Sequence, residues 1–158
     1  MMQQLDTIRK TRRYLLHLVA ELNNEELNEV PAGFNNNIIW NLGHMVAAQQ
    51  GICYLRAGLP AKTEDAFFAA YRPGSKPEGK VDDAAVARIK ELMSATLDQL
   101  EQDYANGLWA QYPAWSTRYG VEINSIESAI DFLKFHEGLH SGFIMALKRV
   151  VKPAVATV

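Results

Sequence analysis

The placement of proline restricts this chain more than any other feature of its sequence. The six prolines are Pro31, Pro60, Pro73, Pro77, Pro113 and Pro153, and a proline inside a helix removes a backbone donor and clashes with the turn before it. Four stretches that lie clear of them carry apolar residues at helical spacing. Leu5, Ile8, Leu15, Val19 and Leu22 predict a helix over about residues 3–22. Asn35-Asn36-Asn37 supplies capping side chains ahead of Ile38, Ile39, Leu42, Met45, Val46, Ile52 and Leu55, which predicts a second helix over about residues 37–57. Asp82-Asp83 opens a third, with Val86, Ile89, Met93, Leu97 and Leu100 keeping the period to about residue 103. Ser125, with Ser128 behind it, caps a fourth, in which Ile126, Ala129, Ile130, Leu133, Leu139, Phe143, Ile144 and Leu147 run to about residue 150.

The links are long. Between Gly58 and Val81 stand Pro60, Pro73, Gly74, Pro77 and Gly79, with room for a short helix from Thr63 to Tyr71. An aromatic stretch with Trp109, Tyr112, Pro113, Trp115 and Tyr119 leads to Gly120 and has room for short extended pieces. The first of these links can span a helix length of about 30 Å, which leaves the second and third helices free to run parallel. The expectation is an all-α fold, a four-helix bundle forming one domain over residues 1–158.

Composition excludes several functions. Sixteen basic residues face 18 acidic ones with no long run of either sign, so there is no electrostatic case for nucleic acid. The single cysteine, Cys53, excludes an internal disulfide and suits a reducing compartment. The start MMQQLDTIRK lacks the pattern of a signal peptide, and no apolar run approaches the roughly 20 residues of a membrane helix. A cytoplasmic protein without membrane partners is expected.

Chemistry is concentrated in histidine. His136 and His140 lie one turn and about 40° apart on the fourth helix, a spacing that puts two imidazoles on one face. That face also carries Phe132, Leu133, Phe143 and Leu147, so it is expected to point inward, where unpaired imidazoles need partners. His44 shares its face with the small residues Ala47, Ala48 and Gly51 and, one and two turns earlier, with Asn37, Trp40 and Asn41. This reads as the wall of a cavity or of a close helix approach. His17 falls among Lys10, Arg13, Glu21 and Asn24, on a solvent face, and Cys53 is about 180° around the helix from His44. A pair at HxxxH spacing is also common among ordinary helix residues, and His44 suits a buried structural role; spacing alone leaves these readings open.

His136-Glu137-Gly138-Leu139-His140 matches H-E-x-x-H, the signature of zinc proteases whose glutamate is a general base. Such proteases take a third ligand further along the chain, yet the 18 residues after His140 contain no His, Asp or Glu. Glu137 itself projects about 80° from the mean direction of the two histidines, within reach of a metal-bound water or of a hydrogen bond to a ligand. It is the one candidate catalytic residue; a solvated helix glutamate is the plain alternative.

NxIxWxLGHxVxxQ on the second helix and FLxFHExxHxGxIxxL on the fourth resemble the DinB-like, YfiT-related metalloenzymes, from the first helix to Val150. The resemblance implies a four-helix bundle in up-down-down-up order and a divalent metal, zinc or nickel, held by His44, His136 and His140. Asn37, Trp40 and Asn41, by the face they share with His44, are candidates to line the pocket of a bound cofactor. Relatives include bacillithiol transferases and mycothiol-dependent maleylpyruvate isomerase, which implies a small-molecule substrate and a low-molecular-weight thiol. Homodimers are common among them. Three imidazoles leave coordination positions open, as in catalytic sites, so thiol-dependent transfer or isomerisation is expected, then metal-assisted hydrolysis. A non-catalytic metal-binding stress-response protein is the alternative.

Overall fold

The computed structural model describes residues 2–152. Helices α1 (Met2–Leu18), α2 (Asn24–Asn28), α3 (Ile38–Cys53), α4 (Asp65–Tyr71), α5 (Asp83–Ala105) and α6 (Ile126–Val151) are accompanied by a two-stranded antiparallel hairpin, β1 (Trp115–Ser116) with β2 (Glu122–Ile123). The four long helices, α1, α3, α5 and α6, form the bundle, in which α1 and α3 each pack against both α5 and α6. No helix among the described residues is long and apolar enough to cross a membrane.

Three helices start where their caps dictate. Asn37, Asp82 and Ser125 each accept a backbone N–H from the first turn of α3, α5 and α6, and Ser125 forms a reciprocal capping box with Ser128. The first helix departs from expectation. The apolar pattern runs on to Leu22, but α1 stops at Leu18 because Asn23 starts a new helix: its side chain accepts from Glu26 N while the Glu26 carboxylate takes Asn23 N. Leu22 and Leu27, either side of that box, are both buried, the staple that fixes the direction of entry. Likewise α3 ends at Cys53 and continues only as a 3-10 turn over Leu55–Ala57.

Side-chain pairs between helices show how they lie. Gln4 meets Asp131 near the starts of α1 and α6, and Lys148 meets Glu21 just past the end of α1. Gln49 with Thr96 and Tyr54 with Asp103 step forward together along α3 and α5. Arg9 on α1 pairs with Asp98 and Glu101 on α5.

The core is largely apolar, and one buried layer in it is polar on all four long helices. Arg12, only 1% exposed, occupies the buried stripe of α1 between Ile8 and Leu15, and Gln49, Thr96 and Glu137 occupy the buried stripes of α3, α5 and α6. Each long helix thus contributes one polar side chain at one level. Arg12 Nη2 donates to Glu137 Oε1 at 2.6 Å, Nε lies 3.1 and 3.2 Å from the two Glu137 oxygens, and Nη1 donates to Gln49 Oε1 and the Met93 carbonyl. Nη2 also reaches the Met45 carbonyl. Gln49 Nε2 donates to the Thr96 carbonyl, and Thr96 Oγ1 lies within bonding distance of Gln49 Oε1 and the Leu92 carbonyl. Burial pushes the Glu137 carboxyl upward and Arg12 pulls it back. The two side chains form a buried salt bridge.

The glycine and alanine side of α3 receives α4. A Cβ on Gly43 would stand 2.5 Å from the Tyr71 ring, and one on Gly51 would touch Phe68. Gly43 therefore sets how closely the end of α4 approaches His44.

A buried pair broken on one side leaves an uncompensated charge. Glu137→Gln and Arg12→Met are each expected to lose about 3–5 kcal/mol in urea unfolding, and the Arg12→Met, Glu137→Leu double variant to regain a large part of that. A double variant as unstable as the sum of the singles would contradict this account.

Candidate metal centre

His44 on α3 and His136 and His140 on α6 come together in the bundle. Their ring centroids are 5.2 Å (44 to 136), 4.7 Å (44 to 140) and 4.5 Å (136 to 140) apart, and one nitrogen from each lies within 4.8 Å of the others. Nitrogens about 2 Å from one tetrahedral ion are about 3.3 Å apart, so small ring rotations close the set. Among the described residues this is the one group of three or more His, Cys, Asp or Glu side chains placed to hold an ion. His17 is exposed and Cys53 is buried in the core with its thiol pushed up by burial; neither joins it.

Two of the rings are oriented by acceptors. His44 Nδ1 lies 2.7 Å from the Tyr71 carbonyl oxygen, which can only accept, so Nδ1 carries the proton and Nε2 presents its lone pair. His140 Nδ1 lies 2.8 Å from Asn41 Oδ1. The amide of Asn41 is itself fixed, because Nδ2 donates to the Asn37 carbonyl at 2.7 Å and to Asn36 Oδ1 at 3.0 Å. His140 therefore also presents Nε2. His136 has no such partner: its Nδ1 is buried without a hydrogen bond. Two free Nε2 lone pairs and an orphaned buried imidazole nitrogen are donors that suit a metal ion, and the three residues fit one.

Burial holds all three imidazoles below their ordinary basicity. His136 is lowered to about 3, by burial first and then by the neighbouring imidazoles and the charges of Arg12 and Arg118; His140 is lowered to about 4 by burial, His44 and Arg118. His44 is also lowered, by burial, with the Tyr71 bond opposing and Arg118 adding to the shift. At neutral pH all three are neutral, the form that binds metal.

The residues expected to line a pocket have more specific tasks. Asn37 caps α3 and donates to the Asn28 carbonyl. Trp40 stacks flat on His44, centroids 4.8 Å apart at 9°. Asn41 orients His140. A pocket of about 530 Å³ lies between α3, α4 and residues 75–81; Asn37, Trp40 and Tyr71 are among the residues that line it, and Asn41 and the three histidines are not.

Glu137 requires a correction. Expected to reach a metal-bound water or a ligand, it faces the core instead, with both oxygens on Arg12, and it is not part of the histidine group. The step of about 100° from His136 carries it into the buried stripe, where Arg12 captures it. The inward face expected for the histidines is likewise divided, with Leu133 and Leu147 buried but Phe143 36% exposed against Phe34. His136 and His140 sit at the edge of the buried stripe of α6, part-accessible from outside, while His44 is buried. Sequence reasoning missed Arg12, although a gap between Ile8 and Leu15 in an otherwise regular stripe marked its position. Nothing in the sequence marked the Tyr71 carbonyl.

A bundle of four long helices that gathers three imidazoles at one level defines a helical protein with a group able to bind a metal ion. The chain matches the family model of the DinB superfamily over residues 7–144, and it belongs to that superfamily. No curated protein matches it.

Freeing a ligating histidine from its acceptor typically weakens metal binding by about 10–100-fold. That loss is expected for Asn41→Leu in a competitive chelator titration, whereas Asn41→Asp, which keeps an acceptor for His140, should stay near wild type. The depressed imidazoles also set a pH dependence for the metal-free protein. Above about 6.5 they contribute none; as pH falls below it the unfolded chain takes up protons that the folded one refuses, and stability is lost down to about pH 3–4. The ring-proton NMR signals of His136 and His140 should accordingly stay unmoved between pH 8 and about 5.

Proposed function

We propose that this protein is a metal-dependent enzyme that uses zinc or nickel, held by His44, His136 and His140, to transfer a low-molecular-weight thiol or to isomerise a substrate with its help. The observation that carries the reading is the donor set: three neutral imidazoles, two of them oriented by acceptors, with no fourth protein ligand among the described residues to close the coordination sphere. A divalent ion bound there supplies Lewis acidity, which favours a thiolate over a thiol and equally serves hydrolysis, the second choice of reaction. The chain's own part is orientation and exclusion of water. The Tyr71 carbonyl and Asn41 hold His44 and His140 in register, Trp40 covers one face of His44, and Arg12 keeps the carboxylate of Glu137 away from the imidazoles. A cytoplasmic setting agrees with the unpaired thiol of Cys53.

One observation favours a second reading, a metal-binding protein without catalysis. Glu137, the acid or base closest in sequence to the ligands, is held in the core by Arg12, so proton transfer would have to be served by the substrate or by solvent.

Elemental analysis of purified wild type should find close to one equivalent of metal, and the His136→Ala, His140→Ala double variant should have almost none. Steady-state assays of metal-loaded protein with bacillithiol, mycothiol, glutathione or coenzyme A and an electrophile should show activity that His44→Ala abolishes. Equal metal in both proteins would refute the site, and metal without turnover for any thiol would favour the binding reading.

A further inference from the structure

The solvent side of α6 differs from that of α5. A long surface helix ordinarily keeps charge on its wet face, and α5 does so, with Asp83, Arg88, Glu91 and Asp98 all exposed. On α6 no exposed residue from Phe135 to Ala146 carries a charge, and Phe135, Leu139, Phe143 and Met145 stand between 36% and 48% exposed. Tyr119 at the hairpin packs edge-to-face on Phe135 at 5.2 Å and is itself exposed, which widens the patch. A contiguous apolar surface over about three helical turns marks a place where something docks.

Its charge pattern says what docks. Asp131, Phe135, Gly138, Gly142, Met145 and Arg149 are all exposed and follow one another at alternating steps of four and three residues, the period of a coiled-coil seam. The seam begins with an acid and ends with a base. Asp131 holds Lys134 and Gln4 through Oδ1 and leaves Oδ2 open, and Arg149 enters no ion pair among the described residues. Laid antiparallel on a copy of itself about a two-fold axis at the level of His140, the seam sets Asp131 against Arg149, Phe135 against Met145 and Gly138 against Gly142, each contact occurring twice. A parallel pair would set acid on acid and base on base. A Cβ on Gly138 or Gly142 would meet nothing within 4 Å, so the backbone at the middle of the seam is open to close approach by a second helix.

We infer that this face of α6 is the interface of a homodimer, in which two copies of the chain pack α6 against α6 as an antiparallel pair. His136 and His140 lie about 140° and 180° around the helix from the centre line of the seam, so the contact falls away from the metal centre and the inference stands apart from the metal-dependent reading. One helix pair widened by the hairpins is a small interface, for which a dissociation constant on the order of 10 μM is expected.

Sedimentation velocity of the full-length protein over about 1 to 200 μM should show monomer passing into dimer. Met145→Glu, a change at an exposed position, should weaken the dimer at least about tenfold by burying a carboxylate in the contact. Asp131→Lys and Arg149→Glu should each weaken it about tenfold, because each creates two like-charged pairs across the axis; combined in one chain they should return it to within about threefold of wild type. A monomer at every concentration would overturn the proposal and leave the face to a different partner. A dimer that Met145→Glu does not weaken uses another surface, and charge reversals whose combination fails to restore the dimer exclude this antiparallel register; either result would overturn the proposal as well.

Discussion

A guanidinium in the middle of a helical bundle must satisfy five donors without water, and the described structure is organised around how Arg12 does so. Its partners come from all three other long helices: a carboxylate from α6, an amide from α3, a carbonyl from α5 and another from α3. An apolar core tolerates small slides and rotations of one helix on another, because hydrophobic contact has no direction. A hydrogen-bonded layer does not. Any shift of register by a turn would strand a buried charge, so this layer selects one alignment of the helices out of many of comparable apolar burial.

That alignment is what makes the histidine group a group. Glu137 and His136 are adjacent, and in a helix adjacent side chains diverge by about 100°. With Glu137 drawn inward to Arg12, His136 must emerge at the edge of the buried stripe, and His140 one turn later emerges beside it. Asn41 and His44, on α3, meet them there because Gln49 and Met45 of the same helix are bound to the same arginine. The polar layer and the imidazoles are thus two levels of one arrangement, the first fixing geometry and the second offering lone pairs. Burial keeps those lone pairs free of protons.

The sequence makes the helices legible because proline and apolar period speak with one voice, and it makes the three histidines legible because i and i+4 on a helix is a geometric statement. Its silences have physical causes. The end of α1 at Leu18 depends on a competition between a continuing apolar pattern and the Asn23–Glu26 capping box, and both signals are present in the letters. Glu137 reads as a catalytic glutamate because H-E-x-x-H has a known chemistry, while its true partner lies 125 residues away, beyond any local pattern. The aromatic linker looks irregular, yet Trp109 and Tyr112 donate to the Cys53 and Ile52 carbonyls at the end of α3, closing backbone groups that a helix terminus leaves open. Such contacts join distant segments through backbone atoms and have no signature in side-chain order.

The bond between His44 and Tyr71 works in both directions. The carbonyl orients the imidazole, but it is also one of the unpaired acceptors at the C-terminal end of α4, and the imidazole is its closure. Tyr71 in turn lies on Gly43, one residue from His44. A related chain with no metal to bind would therefore still be held to a histidine at this position, since losing it would open the seam between α3 and α4. Retention of this side chain in a related sequence is evidence of inherited packing and is not by itself evidence that the relative binds a metal.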